Sequence, residues 1–173
     1  MMNEIAIVDY QPEHQPYFEQ FNRQWIEELF EMEPVDEWVL TNPEKAILEP
    51  GGAILMALYN GVLAGTVGLR KVDDEIYEFT KMAVDINFRR KGIAEAISYA
   101  SFRKAKELGA SRVVLYSNSL NEGAIKLYEK IGFWHVPVEE GVYKRANVKM
   151  VINIDTAIYE ADKYDRQLQL QTN

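Results

Sequence analysis

The chain has 173 residues, of which 47% are hydrophobic, and a formal net charge of −8. This length favours a single domain, and the acidic balance argues against a general nucleic-acid binder, which needs a basic face. The chain has no cysteine and two histidines, which excludes disulfides, thiolate metal sites and a cysteine nucleophile, and disfavours a histidine-based metal site.

The sequence carries no sign of a membrane or export segment. No apolar run approaches the ~20 residues that a membrane-spanning helix needs. The first residues lack a basic region followed by an apolar core, so no signal peptide is predicted. We therefore expect a cytoplasmic protein with neither a membrane nor a nucleic-acid partner.

The first part of the chain predicts one strand and three helices. Residues 4–9 alternate apolar and polar side chains, which is typical of a strand. Two short helices are expected over residues 35–40 and 43–48. A longer helical region starts at Pro12, and its large apolar residues recur at spacings of three and four: Phe18, Phe21, Trp25, Leu29 and Phe30.

Three strands are predicted next. Residues 53–59 are apolar, and Asn60-Gly61 is a strong hairpin signal. The returning strand covers residues 62–70, and a third strand covers residues 76–84. The remaining predicted elements are a helix from Gly92 to Gly109, a strand over 112–116, a helix over 122–130, and strands over 133–136 and 148–154.

A basic turn separates the third of these strands from the next helix, with the sequence Arg89-Arg90-Lys91-Gly92-Ile93-Ala94. Gly92 has no Cβ, so a ligand can approach its backbone closely. The first N–H groups of the following helix have no partner within the helix, and the helix dipole favours an anion there. The turn is therefore a candidate phosphate site, and the alternative is an ordinary basic loop.

A second pattern follows at Asn121, Ala124, Tyr128, Gly132 and Phe133. The two patterns, in this order, resemble the GNAT superfamily of acyl-CoA-dependent N-acetyltransferases. The pyrophosphate motif of that superfamily is Gln or Arg, two residues, Gly, one residue, then Gly or Ala. The basic turn meets it in full, and the strong resemblance covers roughly residues 76–134.

The resemblance implies the fold class. It is an α/β (α+β) fold with a mixed, largely antiparallel central sheet, a splayed parallel strand pair, and helices on both faces. The acetyltransferase domain would cover residues 1–154. Residues 155–173 would form a C-terminal extension, either a marginal docked helix or a frayed tail.

The resemblance also implies a cofactor site for acetyl-CoA, with no metal. The acyl-CoA would lie between the strands that end near Val84 and Tyr116, where the backbones of Met82 and Val84 would pair with the pantetheine arm. The N–H of Val84 would polarise the thioester carbonyl. Asn121 would contact the cofactor, and the alternative is a helix cap. The basic turn would hold the pyrophosphate through Arg89, Arg90, Lys91, Gly92, Ile93 and Ala94.

Two side chains are candidates for proton transfer. The resemblance implies that Tyr128 protonates the departing thiolate, and the alternative is a packing tyrosine on an amphipathic helix. Glu78 matches a position where family members often carry a carboxylate that faces the acceptor, and the alternative is a solvated strand glutamate. Acidic residues also crowd residues 27–49, which indicates either an acidic mouth for a cationic acceptor or a solvated helix face.

The expected function is transfer of an acetyl group from acetyl-CoA to a primary amine, by direct attack on the thioester. The expected acceptor is a small amine or amino compound. The alternatives are acetylation of a protein N-terminus or lysine, which gives a peptide acceptor, and a non-catalytic acyl-CoA-binding regulatory domain. Dimers are frequent in the family, so a homodimer is a further expectation.

Overall fold

Seven strands form one sheet in the computed structural model of this protein, which describes residues 3–141 and 143–172. In chain order they are β1 Ile5–Asp9, β2 Ala53–Tyr59, β3 Val62–Lys71, β4 Ile76–Val84, β5 Arg112–Ser117, β6 Trp134–Val136 and β7 Val148–Asn153. The helices are α1 Gln15–Leu29, α2 Pro34–Thr41, α3 Ile93–Glu107, α4 Glu122–Ile131 and α5 Ile154–Thr172. Short helical turns cover Pro12–His14, Glu44–Leu48 and Ile86–Phe88.

The strand order across the sheet is β1-β2-β3-β4-β5-β7-β6. β4 and β5 are parallel, and the other neighbours are antiparallel. Helix α3 joins the two parallel strands, because a parallel connection needs a long crossover. The predicted fold class, a mixed and largely antiparallel sheet with one parallel pair, is confirmed.

Helices cover both faces of the sheet, as expected. On one face, α3 and α5 pack on a core that includes Phe79, Phe102 and Leu115. On the other face, α1 and α2 pack on a second core that includes Phe18 and Met56. Because side chains alternate along a strand, β4 presents Tyr77 and Phe79 to the first core and Glu78 to the side of α1 and α2.

The C-terminal segment is a helix docked on α3. Ala157 and Ala161 are fully buried, and Tyr164 stacks on Tyr99 with 4.5 Å between the ring centroids. Within the described part of the chain, no helix combines the length and apolar character that crossing a membrane requires.

Candidate functional site

The basic turn lies where the chain leaves β4 and enters α3. Arg90 and Gly92 both have positive φ, +63° and +82°, and Gly92 is the N-cap residue of α3. The space in front of Gly92 is open, since a side chain there would meet no atom within 4 Å. The unpartnered N–H groups of the first turn of α3 therefore face an accessible cradle.

A cleft of about 250 Å³ lies at this cradle. Six of the residues predicted for the cofactor site line it: Val84 at the end of β4, and Arg89, Arg90, Gly92, Ile93 and Ala94. Lys91 does not line the cleft; its ammonium instead lies 5.4 Å from the centroid of the Tyr59 ring.

The parallel strands separate beside this cleft. Their last paired residues are Glu78 and Val114, although β4 continues to Val84 and β5 to Ser117. A β-bulge accompanies the separation, because β4 carries one extra residue opposite β3 between Thr80 and Ala83.

The backbone of Val84 faces the gap between the separated strands. The N–H of Asp85 donates to the carbonyl of Ala64 on β3, at 2.8 Å. Since the polar groups of successive strand residues point to opposite neighbours, those of Val84 point away from β3. By the same alternation, Met82 also presents its backbone to the gap. A ligand in extended conformation can therefore bond to β4 as a further strand would.

Tyr128 lies on α4 and contacts β4. Its ring packs edge-on against Phe79, with 5.6 Å between centroids, and the residue is 8% exposed. The hydroxyl bonds to no described residue. Since no fully buried side-chain polar atom of the described chain lacks a partner, the hydroxyl keeps a small exposed area. Burial raises the pKa of Tyr128, which keeps the phenol protonated.

Asn121 occupies the N-cap position of α4, but its side chain makes no capping hydrogen bond. Its backbone N–H donates to the carbonyl of Asn118, at 2.9 Å. The carboxamide is half-buried and bonds to no other residue in the described part of the chain. The structure therefore places Asn121 at the helix start, as the sequence pattern indicated, without using its side chain there.

Glu78 is 3% exposed and firmly held. Arg70 on β3 donates to its Oε1 at 2.8 Å, and the Tyr143 hydroxyl lies 2.9 Å from both carboxylate oxygens. Burial and the neighbouring negative charge raise the pKa of Tyr143, so the phenol stays a donor. Glu78 is thus not a solvated strand residue, and its role in proton transfer stays a prediction.

The sequence analysis did not anticipate a buried ion cluster beside Glu78. Asp36 on α2 is 2% exposed and accepts from both terminal nitrogens of Arg145, at 2.7 and 2.9 Å. Lys81 lies 3.8 Å from the same carboxylate. Asp36 therefore belongs neither to a solvated face nor to an exposed acidic mouth, whereas Glu27, Glu28, Glu31 and Glu37 are exposed.

Arg145 ties the segment before β7 to the helices. Its guanidinium lies 5.4 Å from the ring centroid of Phe30 and donates to the carbonyl of Glu31 at 3.3 Å. Burial acts to raise the pKa of Asp36, but the hydrogen bonds from Arg145 and from the Glu33 backbone, with the nearby Lys81, outweigh it and lower that pKa. The carboxylate is therefore charged at neutral pH.

Replacing Arg145 by methionine should destabilise the protein by about 3 kcal/mol at neutral pH, because it leaves a buried carboxylate without its main partner. The pKa of Asp36 is lowered in the folded protein. The ion pair therefore stabilises the fold fully above the unfolded-state pKa of ~3.9, and this stabilisation is lost as pH falls through the folded-state pKa. Urea unfolding at pH 7 and in acid measures this. The double variant Asp36→Asn/Arg145→Met should lose less unfolding free energy than the sum of the losses in the two single variants. A loss equal to that sum would contradict an energetic coupling between the two side chains.

Among the described residues, no group of three or more histidine, aspartate or glutamate side chains is placed to hold a metal ion. The arrangement consists of an anion cradle, a strand edge open to an extended ligand, a protonated phenol and a charged cluster on the opposite face. These parts suit a thioester with a long phosphate-bearing arm.

Comparison with known proteins gives a family match. A sequence model described as "Acetyltransferase (GNAT) family" matches residues 7–133. N-acetylaspartate synthetase of Xenopus tropicalis is 37% identical over 93 residues, which are 53% of this chain and 34% of that protein. The chain thus spans about a third of the length of that relative.

Solved structures share the fold. A GNAT-family acetyltransferase from Staphylococcus aureus superposes with a TM-score of 0.78 at 21% identity, covering 87% of this chain and 99% of that one. Spermidine N-acetyltransferase from Vibrio cholerae, solved with CoA and spermine, superposes with a TM-score of 0.69 at 17% identity. The match covers 89% of this chain and 98% of that one. At these identities the likeness concerns architecture.

Proposed function

Because the chain belongs to the acetyltransferase (GNAT) family, we propose that it transfers an acetyl group from acetyl-CoA to a primary amine. The observation that carries the proposal is the gap between β4 and β5, which the Val84 backbone faces and which the Gly92 cradle adjoins. Support for an amine acceptor also comes from the names of the relatives, which point to aspartate in one case and spermidine in another.

In this proposal the pyrophosphate of acetyl-CoA binds at the start of α3, and Asn121 contacts the cofactor. The pantetheine arm bonds to the backbones of Met82 and Val84. The neutral amine attacks the thioester carbon, and the Val84 N–H stabilises the oxyanion that forms. As the C–N bond is completed, the C–S bond breaks and Tyr128 gives its proton to the leaving sulfur. Before the attack, the acceptor ammonium loses one proton to Glu78 or to water, and the nitrogen releases its second proton to solvent as the amide forms.

An activity screen tests the function. The protein is incubated with acetyl-CoA and primary amines, amino acids, polyamines or peptides, thiol release is followed, and the acetylated product is identified by mass. We expect turnover with at least one small amine. Acetyl-CoA binding without turnover on any of them would instead indicate a regulatory acyl-CoA-binding domain. Turnover on peptides alone would indicate a protein acetyltransferase.

Replacing Glu78 by glutamine tests the base. If Glu78 accepts the amine proton, kcat at neutral pH should fall by about 100-fold and recover as the amine deprotonates in solution near pH ~10. Acetyl-CoA affinity should stay unchanged. Rates are measured from pH 6 to pH 10.5, with kcat and acceptor KM separated.

Glu75→Gln is the matched control, since Glu75 is exposed at the turn before β4 and its loss should change neither constant. A rise confined to acceptor KM in Glu78→Gln would mean that Glu78 attracts the acceptor instead. If both constants stay at the wild-type values, Glu78 has no part in the reaction.

A further inference from the structure

Lys81 has an unusual backbone position. It lies in the β-bulge of β4, with φ at +54°. A lysine in the left-handed region costs roughly 1–3 kcal/mol and persists only where its surroundings hold it there. The bulge follows the last residue pair that β4 shares with β5, so Lys81 stands where the two strands part.

The ammonium of Lys81 is poorly neutralised. The side chain is 16% exposed, and the nearest carboxylate oxygen, on Asp36, is 3.8 Å away. Asp36 already accepts two shorter hydrogen bonds from Arg145. Glu78, the other carboxylate that acts on Lys81, is engaged by Arg70 and Tyr143.

Lys81 is the member of this cluster that lacks a close ion pair. Arg70 pairs with Glu78 at 2.8 Å, and Arg145 pairs with Asp36 at 2.7 Å. Arg145 also lies 3.4 Å from Glu33, whereas the ammonium of Lys81 lies 3.8 Å from Asp36. Burial lowers the pKa of Lys81. The carboxylates of Asp36 and Glu78 act against that shift, and the charge of Arg145 adds to it. An additional anion beside Lys81 would favour its charged form.

The ammonium keeps a small exposed area. Within residues 3–141 and 143–172, Lys81 Nζ has no hydrogen-bond partner within 3.5 Å, and no fully buried side-chain polar atom lacks one. The side chain is 16% exposed. The charged groups around it come from α2, from β4 and from the segment before β7.

We propose that Lys81 binds a carboxylate of the acceptor, so that the acceptors are amines bearing a carboxylate, such as amino acids. This inference rests on the proposed acetyl transfer. Lys81 precedes Val84 by three residues, which is at most about 10 Å along the strand. A lysine side chain and a small amino acid together can bridge that distance, with the amine at the thioester and the carboxylate at the ammonium.

Matched acceptor pairs test the proposal. Leucine is compared with 3-methylbutylamine, ornithine with 1,4-diaminobutane, and phenylalanine with 2-phenylethylamine, because each pair differs only in the carboxylate. The wild-type protein should prefer the amino acids in kcat/KM. Lys81→Met should raise the KM for the amino acids about tenfold or more, the scale of a lost charge-assisted hydrogen bond, and leave the KM for the amines unchanged.

Three controls separate binding from folding. Lys81→Arg keeps the charge and should retain most of the preference. Lys106→Met removes an exposed lysine from the last turn of α3 and should change nothing. An acid without the amine, 4-methylpentanoate, should compete with leucine in the wild type and fail to compete in Lys81→Met. Thermal unfolding shows whether each variant is folded.

The outcomes are distinct. Equal kcat/KM within the pairs, or a preference for 1,4-diaminobutane, would overturn the carboxylate inference and leave acetyl transfer standing. A preference for amino acids that survives in folded Lys81→Met would remove Lys81 from the role. Acetyl-CoA binding without turnover of any acceptor would overturn both proposals.

Discussion

The variant Gly92→Val should bind CoA at least 100-fold more weakly than the wild type. A valine side chain at this position would project into the open cradle at the start of α3, where the pyrophosphate is proposed to lie. It would hold the phosphates away from the unpartnered N–H groups of the first turn. Isothermal calorimetry with CoA measures the loss.

Gly61 supplies a matched control. Its φ is +83°, against +82° at Gly92, and a side chain at either glycine meets no atom within 4 Å. Gly61 lies in the β2–β3 hairpin. Both valine variants therefore carry similar backbone strain, roughly 1–3 kcal/mol, and should unfold at similar temperatures, while Gly61→Val should keep full CoA affinity.

Unchanged CoA affinity in a folded Gly92→Val protein would remove the cofactor from this cradle. Equal losses in Gly61→Val and Gly92→Val would show that strain, and not the cradle, governs binding. Gly92→Ala, with a smaller side chain, should give an intermediate affinity if steric exclusion is the cause.

The variant Tyr128→Phe should reduce kcat by about 100-fold or more while CoA affinity changes little. The substitution removes one hydroxyl and leaves the ring packed against Phe79 and Phe133. Because the hydroxyl has no hydrogen bond to any described residue, its loss leaves no protein group unsatisfied, so stability should be nearly unaffected. The comparison is of single-turnover rates at saturating acetyl-CoA.

Tyr99→Phe is the matched control for Tyr128→Phe. Tyr99 is 7% exposed, close to the 8% of Tyr128, but it lies on α3 and packs on α5 through Tyr164. Burial, with nearby negative charges, raises the pKa of Tyr99 to about 12, so both phenols are protonated at neutral pH. Tyr99→Phe should retain the wild-type rate. Equal rates in all three proteins would assign Tyr128 to packing.

The pKa of Tyr128 sets a further expectation within the same experiment. Since burial raises it above its usual value of ~10, the wild-type rate should not fall between pH 7 and pH 10 through loss of this proton. Any change of the rate with pH near neutrality must come from another ionisable group, either the acceptor amine or a carboxylate.

The sequence by itself determined the parts of this protein that are local in the chain. Asn60-Gly61 forms the predicted hairpin because those two residues tolerate positive φ, +50° and +83°. The basic turn starts α3 as predicted because Gly92 adopts the left-handed conformation that the helix entry requires. The crossover from β4 to β5 follows from the length of the helix between them.

Only the tertiary structure decided the charged cluster. Asp36 and Arg145 are 109 residues apart in the chain, and nothing adjacent to either predicts their pairing. In the sequence, Asp36 is one of many acidic residues in predicted helices. It is buried because α2 packs on the sheet and the segment before β7 covers Asp36. Likewise, Glu78 is held by Arg70 across the strand and by Tyr143, 65 residues away.

The bulge at Lys81 has the same origin. No glycine, asparagine or aspartate marks it, so the sequence carries no signal for positive φ at that position. The register of β3 against β4, fixed by the two cores on either side of the sheet, requires one extra residue there. Local propensity set the elements and the basic turn, whereas packing between distant segments set the charged cluster.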